Sequence, residues 1–326
     1  MSQTSNTFDT YNAKGIRESL SNVIYNISPE ETPFMSNIGR ENVKNTYFEW
    51  QTDALASAST TNAQIEGDDI SAYDSTSATV RLGNYTQISN KTLLISGTLE
   101  SVDKAGRRSE LAYQLAKRSA ELKRDMESIM LTNQANAQGS AGISSALRKT
   151  GALLAYLKTN TDKGTGGADP SYTTTPNATR TDATNANLRT FTETILKSVI
   201  QKVWTEGGTP KVLMVGPVNK QRVSGFAGIA EIRREVTGNR QATIIGAADV
   251  YVSDFGAVSV VPNRFQRERD AFVLDPEYAS VCYLRPFQTV ELAKTGDAEK
   301  RMILVEWGLK VHTEKAHGLA ADLTTT

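Results

Sequence analysis

Two stretches of 29 residues each, 51–79 and 159–187, limit what this chain can become more than any motif in it. The first is mostly Ala, Ser, Thr, Asn and Asp, with large apolar anchors at Leu55, Ile65 and Tyr73, and the second holds one large apolar residue, Tyr172. Neither can bury enough apolar surface to offset the entropy of ordering its own backbone. Loops this long are uncommon inside a compact domain and are usually put to binding. The first is flanked by VKNTYFEW (43–50) and VRLGNYTQISNKTLLIS (80–96), both rich in β-branched and aromatic residues, so it reads as a long hairpin arm. The second reads as a further polar excursion.

A third constraint lies in NISPEETPFMSNIG (26–39). Pro29 and Pro33 lack the amide donor of a helix interior and bias the preceding residues toward extended geometry, which predicts an irregular strap. Ile27, Phe34, Met35 and Ile38 nevertheless sit on it, and four such side chains need a surface to cover them.

Between these segments the periodicities are ordinary. Residues 103–133 contain no proline, and Leu111, Leu115, Leu122, Met126 and Ile129 recur at helical spacing, predicting one helix roughly 45 Å long. Its bases are interleaved with acids, which is the pattern of a solvated face. A short helix is expected within 146–158. Another is marked by Leu188, Phe191, Ile195, Val199 and Val203 and stopped by Gly207, Gly208 and Pro210. The strand KVLMVG, a helix over 218–226 and the pair DVYVSDFGAVSVVPN make a small α/β unit, and strands over 271–274, 279–292 and 301–312 close the chain. Helices and strands are segregated, so the class is α+β.

Composition removes several functions. The 326 residues carry 36 Lys and Arg against 36 Asp and Glu, and this balance lacks the basic excess of a protein built to grip nucleic acid. Near-zero charge also removes long-range repulsion between copies. Cys282 is the only cysteine and reads as a small core residue, so no internal disulfide forms. Neither a signal peptide nor a run of about 18 apolar residues is present, so no membrane is expected. Asp254-Phe255-Gly256 copies a kinase magnesium tripeptide but sits between alternating strands, as a hairpin turn does. Gly67-Asp68-Asp69 lies in a polar loop without a partner aspartate strand. His312 and His317 are the whole histidine supply, and Gly164, Gly166 and Gly167 lack the ending of a phosphate loop. No catalytic constellation, metal site or cofactor is expected.

The strap, the arm, the long helix, the α/β unit and the returning strands together resemble the major capsid proteins of tailed phages with the Hong Kong 97-type fold. SNVIYNISPEETPFMSNIGR, FEWQTD, ELAYQLAKRSAELKRDME, VGPVNKQRVSGFAG, VVPNRFQRERDAFVLDP and YLRPFQTVELAKTGDAEKRM resemble the SU10-type capsid family in particular, and these blocks spread from residue 21 to residue 302. The resemblance implies an N-terminal arm over 1–42, an E-loop hairpin over 43–96 and a peripheral domain with its spine helix and polar excursion over 97–187. An axial domain over 188–262 and returning strands of the peripheral domain over 263–326 complete it. It implies a non-enzymatic shell protein, assembled in the bacterial host cytoplasm as hexamers and pentamers of an icosahedral-type capsid around double-stranded DNA. Its partners would be other copies of itself, portal, decoration or scaffolding proteins, and packaged DNA touched weakly and without sequence specificity.

The inter-subunit residues so implied are Ile27, Pro29, Pro33, Phe34, Met35 and Ile38 on the strap and Leu55, Ile65, Glu66, Asp68, Asp69 and Tyr73 on the arm. The arm carries five acids and no Lys or Arg between 51 and 79, and a basic set is expected to receive it: Arg107 and Arg108 opening the long helix, and Arg264, Arg267 and Arg269 in NRFQRERD. No lysine occurs between Lys44 and Lys91, so the lysine-to-asparagine staple of some relatives is not expected at the loop tip. No long leader precedes the strap, so a fused scaffolding segment is not expected either. An encapsulin-like shell enclosing cargo, or a soluble enzyme or binding domain with long loops, are the alternative readings.

Overall fold

The computed structural model of the chain describes residues 31–64, 66–67, 73–104, 106–142, 146–226 and 250–325. Pro33 opens a one-turn helix, α1 (Pro33–Asn37), at its first position, where the missing N–H would have had no partner anyway. Strand β1 (Gly39–Asn42) follows and pairs in parallel with β10 (Ala279–Glu291) at the edge of a four-stranded sheet. Beyond β10 come β11 (Ala298–Val311) and β4 (Gln87–Ser96), each antiparallel to its neighbour. Register shifts in the β10–β11 pair fall between Tyr283 and Gln288, around Pro286, which has no amide to give the ladder.

Helix α3 (Glu110–Leu131) lies on this sheet, and its Leu122, Met126 and Met130 are buried in one cluster with Ile303, Val305, Trp307 and Leu309. The helix starts later than the periodicity predicts. Gly106 has a φ of 77°, and Glu100 and Ser109 accept the amides that begin the helix, Glu100 from Glu110 at 3.0 Å and Ser109 from Ala112 at 3.2 Å. Lys104 Nζ donates to the carbonyls of Leu99, Glu100 and Val102, closing the short helix α2 (Gly97–Ser101) that precedes the break. The spine is therefore 22 residues, about 33 Å, and Arg107 and Arg108 stand before it rather than on it.

A second sheet has the order β5 (Thr161–Asp162), β12 (Gly318–Ala320), β9 (Ala271–Leu274), β6 (Val212–Val215), β8 (Gly256–Pro262) and β7 (Val250–Ser253). VLMV and AFVL are uninterrupted apolar runs because the two faces of these central strands serve different cores. Leu213, Val215 and Val273 pack with Leu196, Val199 and Ile200 of α5 (Glu193–Thr205) and Val223 of α6 (Pro217–Ser224). Met214, Phe272 and Leu274 point the other way, into the cluster shared with α3. Asp254 and Phe255 form the two-residue turn joining β7 to β8, with Ser253 paired to Gly256. The short helix α4 (Leu153–Tyr156) is wholly buried.

Two expected divisions do not coincide with these sheets. Residues 87–96 belong to the four-stranded sheet as β4, so the arm ends at β3 (Val80–Tyr85). The boundary at 262 cuts through the six-stranded sheet, which takes β9 and β12 from after it and β5 from before 188.

Candidate assembly interface

The strap residues lie where one chain covers them unaided. Phe34 is 1% exposed, and Met35 and Ile38 are buried in the same cluster as Leu122, Met126 and Met130. The expectation that a second copy covers Phe34, Met35 and Ile38 is corrected accordingly: the turn of helix after Pro33 directs them inward, onto α3. Glu127 of α3 accepts the amides of Phe34 and Met35 at 2.7 and 2.8 Å, supplying partners that the first turn of α1 cannot find within itself. Ile27 and Pro29 lie outside the described residues.

The arm is different. Strand β2 (Tyr47–Thr52) pairs antiparallel with β3 from Tyr47 opposite Tyr85 to Thr52 opposite Val80. Its root is fixed to the body by a buried amide, because Asn84 donates to Thr150, Gly151 and Leu309 and accepts the amide of Gly151 at 2.8 Å. Trp50 stacks against Phe48 at 5.9 Å and lies tilted against Tyr156 at 6.0 Å between centroids. Beyond the root the cover thins: Leu55 is 99% exposed and Tyr73 91%. Asp53, Glu66 and Asp74 are exposed as well, while Ile65, Asp68 and Asp69 lie outside the described residues.

The basic set does not form one receiving surface. Arg107 is paired with Glu110, and Arg108 and Arg264 are exposed. Arg267 and Arg269 are turned into the molecule, where Asp182 and Asp270 engage Arg267 and Asp322 engages Arg269 at 3.3 Å. Their expected role in receiving the arm is corrected by this placement. Sequence reasoning missed the knot they belong to. Arg180, fully buried, pairs with Asp169 at 2.6 Å and Asp322 at 3.2 Å, and so ties the 159–187 excursion to the end of the chain. Burial alone would raise the Asp322 carboxyl, but the amides of Ala183 and Gly164 and the Arg180 guanidinium outweigh it and hold the group low.

One cluster has the residue types of a catalytic triad without its order. Ser280 Oγ donates to Glu41 at 2.7 Å and lies 3.3 Å from His312 Nε2, itself 3.3 Å from Glu41. Carboxylate and imidazole converge on one hydroxyl instead of forming the nucleophile, base and orienter chain of a triad, and Ser280 is buried. Cys282 is buried beside it, and burial pushes its thiol up to about 12. His317 is also buried, which pushes it down to about 4. Among the described residues no group of His, Cys, Asp and Glu is arranged to hold a metal, and no helix is long and apolar enough to cross a membrane.

The architecture defines a class. Over 98% of this chain and 99% of the other, it matches a subunit of the cyanophage A-1(L) capsid with a TM-score of 0.68 at 10% identity. It also matches the SrpI encapsulin of Synechococcus elongatus PCC 7942 over 98% and 97% of the two chains, with a TM-score of 0.58 at 11% identity. This is the α+β, Hong Kong 97-like fold of shell-forming subunits. Sequence carries the assignment further. The major capsid protein of Escherichia phage Phieco32 is 29% identical over 341 residues, covering 96% of each chain. The chain belongs to the SU10 major capsid protein family, whose description matches residues 3–324, and its function is that of a tailed-phage major capsid protein.

Proposed function

We propose that copies of this chain close into hexamers and pentamers of an icosahedral-type shell around double-stranded DNA, with the 47–85 arm laid across a neighbouring copy. The observation that carries this reading is the contrast along the arm. Its root is riveted by Asn84 and the aromatic stack, yet Leu55 and Tyr73 beyond it have almost no cover from the described residues of their own chain. A segment held rigidly at one end and carrying uncovered large apolar side chains beyond it is suited to meet a surface outside the subunit. In this reading the α5, α6 and β7–β8 region is the axial part and the α3 sheet the peripheral part. The shell is built in the host cytoplasm. Portal, decoration or scaffolding proteins join it from outside this chain, and the DNA it encloses is touched weakly.

The test is the double substitution Leu55→Ser with Tyr73→Ser. Neither side chain contributes to the core, so the subunit should melt within a few degrees of wild type. Shell yield by electron microscopy should fall severely. Shells formed in wild-type amounts would show that the arm does not hold neighbours through these residues.

A further inference from the structure

Glu127 has no exposed surface, and among the described residues no cation pairs with it. Its donors there are the amides of Phe34 and Met35 and, at 2.7 Å, Nδ2 of Asn263. A buried carboxylate without a cationic partner is an expensive arrangement, and two of these three donors belong to the strap. Seating the strap and taking Glu127 out of water are therefore one event.

The charged groups on the elements packed around it are engaged elsewhere or stand exposed. On α3, Lys123 is exposed, the Arg124 guanidinium lies 5.3 Å from the centre of the Phe265 ring and Asp125 pairs with Lys91 at 2.6 Å. Helix α1 carries no charged residue. After β8, Arg264 is exposed and Arg267 faces Asp182 and Asp270.

We infer that Glu127 is a proton-linked latch for the strap, so that residues 31–38 seat more tightly in acid and loosen as pH rises. Burial pushes the Glu127 carboxyl up from its ordinary value of 4.5, against the pull of the Met35 and Phe34 amides and Asn263. With the strap undocked the carboxyl meets water and returns toward that ordinary value. The docked state therefore holds the proton more tightly. Docking is strongest below the ordinary carboxylate range and weakens as pH rises through the docked value. Opening the latch would bare Phe34, Met35 and Ile38 together, giving the subunit a second, conditional apolar surface besides the arm.

Hydrogen exchange of the full-length unassembled chain between pH 5 and 8, corrected for intrinsic exchange chemistry, tests this, with amides of α5 as the internal reference. Protection of the Phe34 and Met35 amides should fall relative to α5 as pH rises across this range, and Glu127→Gln should abolish that slope. Asn263→Ala removes a donor to the charged form and should shift the decline to higher pH, which keeps the inference testable if Glu127→Gln does not fold. Wild-type protection that is flat or falls toward acid, an unchanged slope in Glu127→Gln, or an unmoved decline in Asn263→Ala would overturn it.

Discussion

Asp270 sits at the end of the loop before β9 with no exposed surface, and neither carboxylate oxygen has a hydrogen-bond partner among the described residues. Burial raises it from 3.8 to about 6, with Arg267 drawing it back, Asp182 pushing it further up and Arg180 and Arg269 also drawing it down. The folded state thus binds this proton more tightly than the unfolded one. The favourable contribution is full below pH 3.8 and is lost as pH rises through about 6, an effect of order 3 kcal/mol. Asp270→Asn cannot ionise, so its stability relative to wild type, measured by urea unfolding, should improve by about that much between pH 4 and pH 7. A difference that stays constant over this interval would show that Asp270 titrates normally. This knot was not legible in the sequence. Arg180 and Asp322 are far apart in the chain, Arg180 stands in a polar stretch, and nothing local separates a buried arginine from the solvated ones that composition predicts. Asp322 does carry a structural mark, a φ of 59°, but that is visible only after folding.

The elements that were legible are those whose signal is periodic. The spine helix, the two arm strands and the β7–β8 turn follow from spacing and from turn residues, because burial of one face imposes a repeat on the sequence. The start of α3 was not legible, since the break before it depends on the side chains of Glu100, Lys104 and Ser109 finding backbone partners rather than on a proline. The strap was legible as a segment but not in its destination. Apolar residues on it require cover, and pattern alone does not distinguish cover by the same chain from cover by another. The structure decides for the same chain, so removing the strap strips cover from the subunit's own core. Phe34→Ala should destabilise the isolated subunit by about 3–5 kcal/mol, as for other buried aromatic truncations. Deleting residues 1–39 should leave a chain that does not fold cooperatively. Near-native circular dichroism and an unchanged melting temperature in the deletion would place the strap outside the subunit core after all.

At the scale of the whole molecule, the chain divides its labour between a self-sufficient body and an arm that is not. The body joins two sheets through a core reaching from Phe34 to Ala321, with a second core under α5 and α6. The balance of 36 bases and 36 acids leaves little repulsion to stop such bodies from meeting. Sedimentation velocity followed by electron microscopy of the purified full-length protein, with the Leu55→Ser and Tyr73→Ser variant beside it, tests this division most directly. The account predicts closed shells from the wild type and a folded, slowly sedimenting subunit of 35.5 kDa or a small oligomer from the variant. A wild type that stays at 35.5 kDa under all conditions, or a variant that closes shells as readily as wild type, would contradict it.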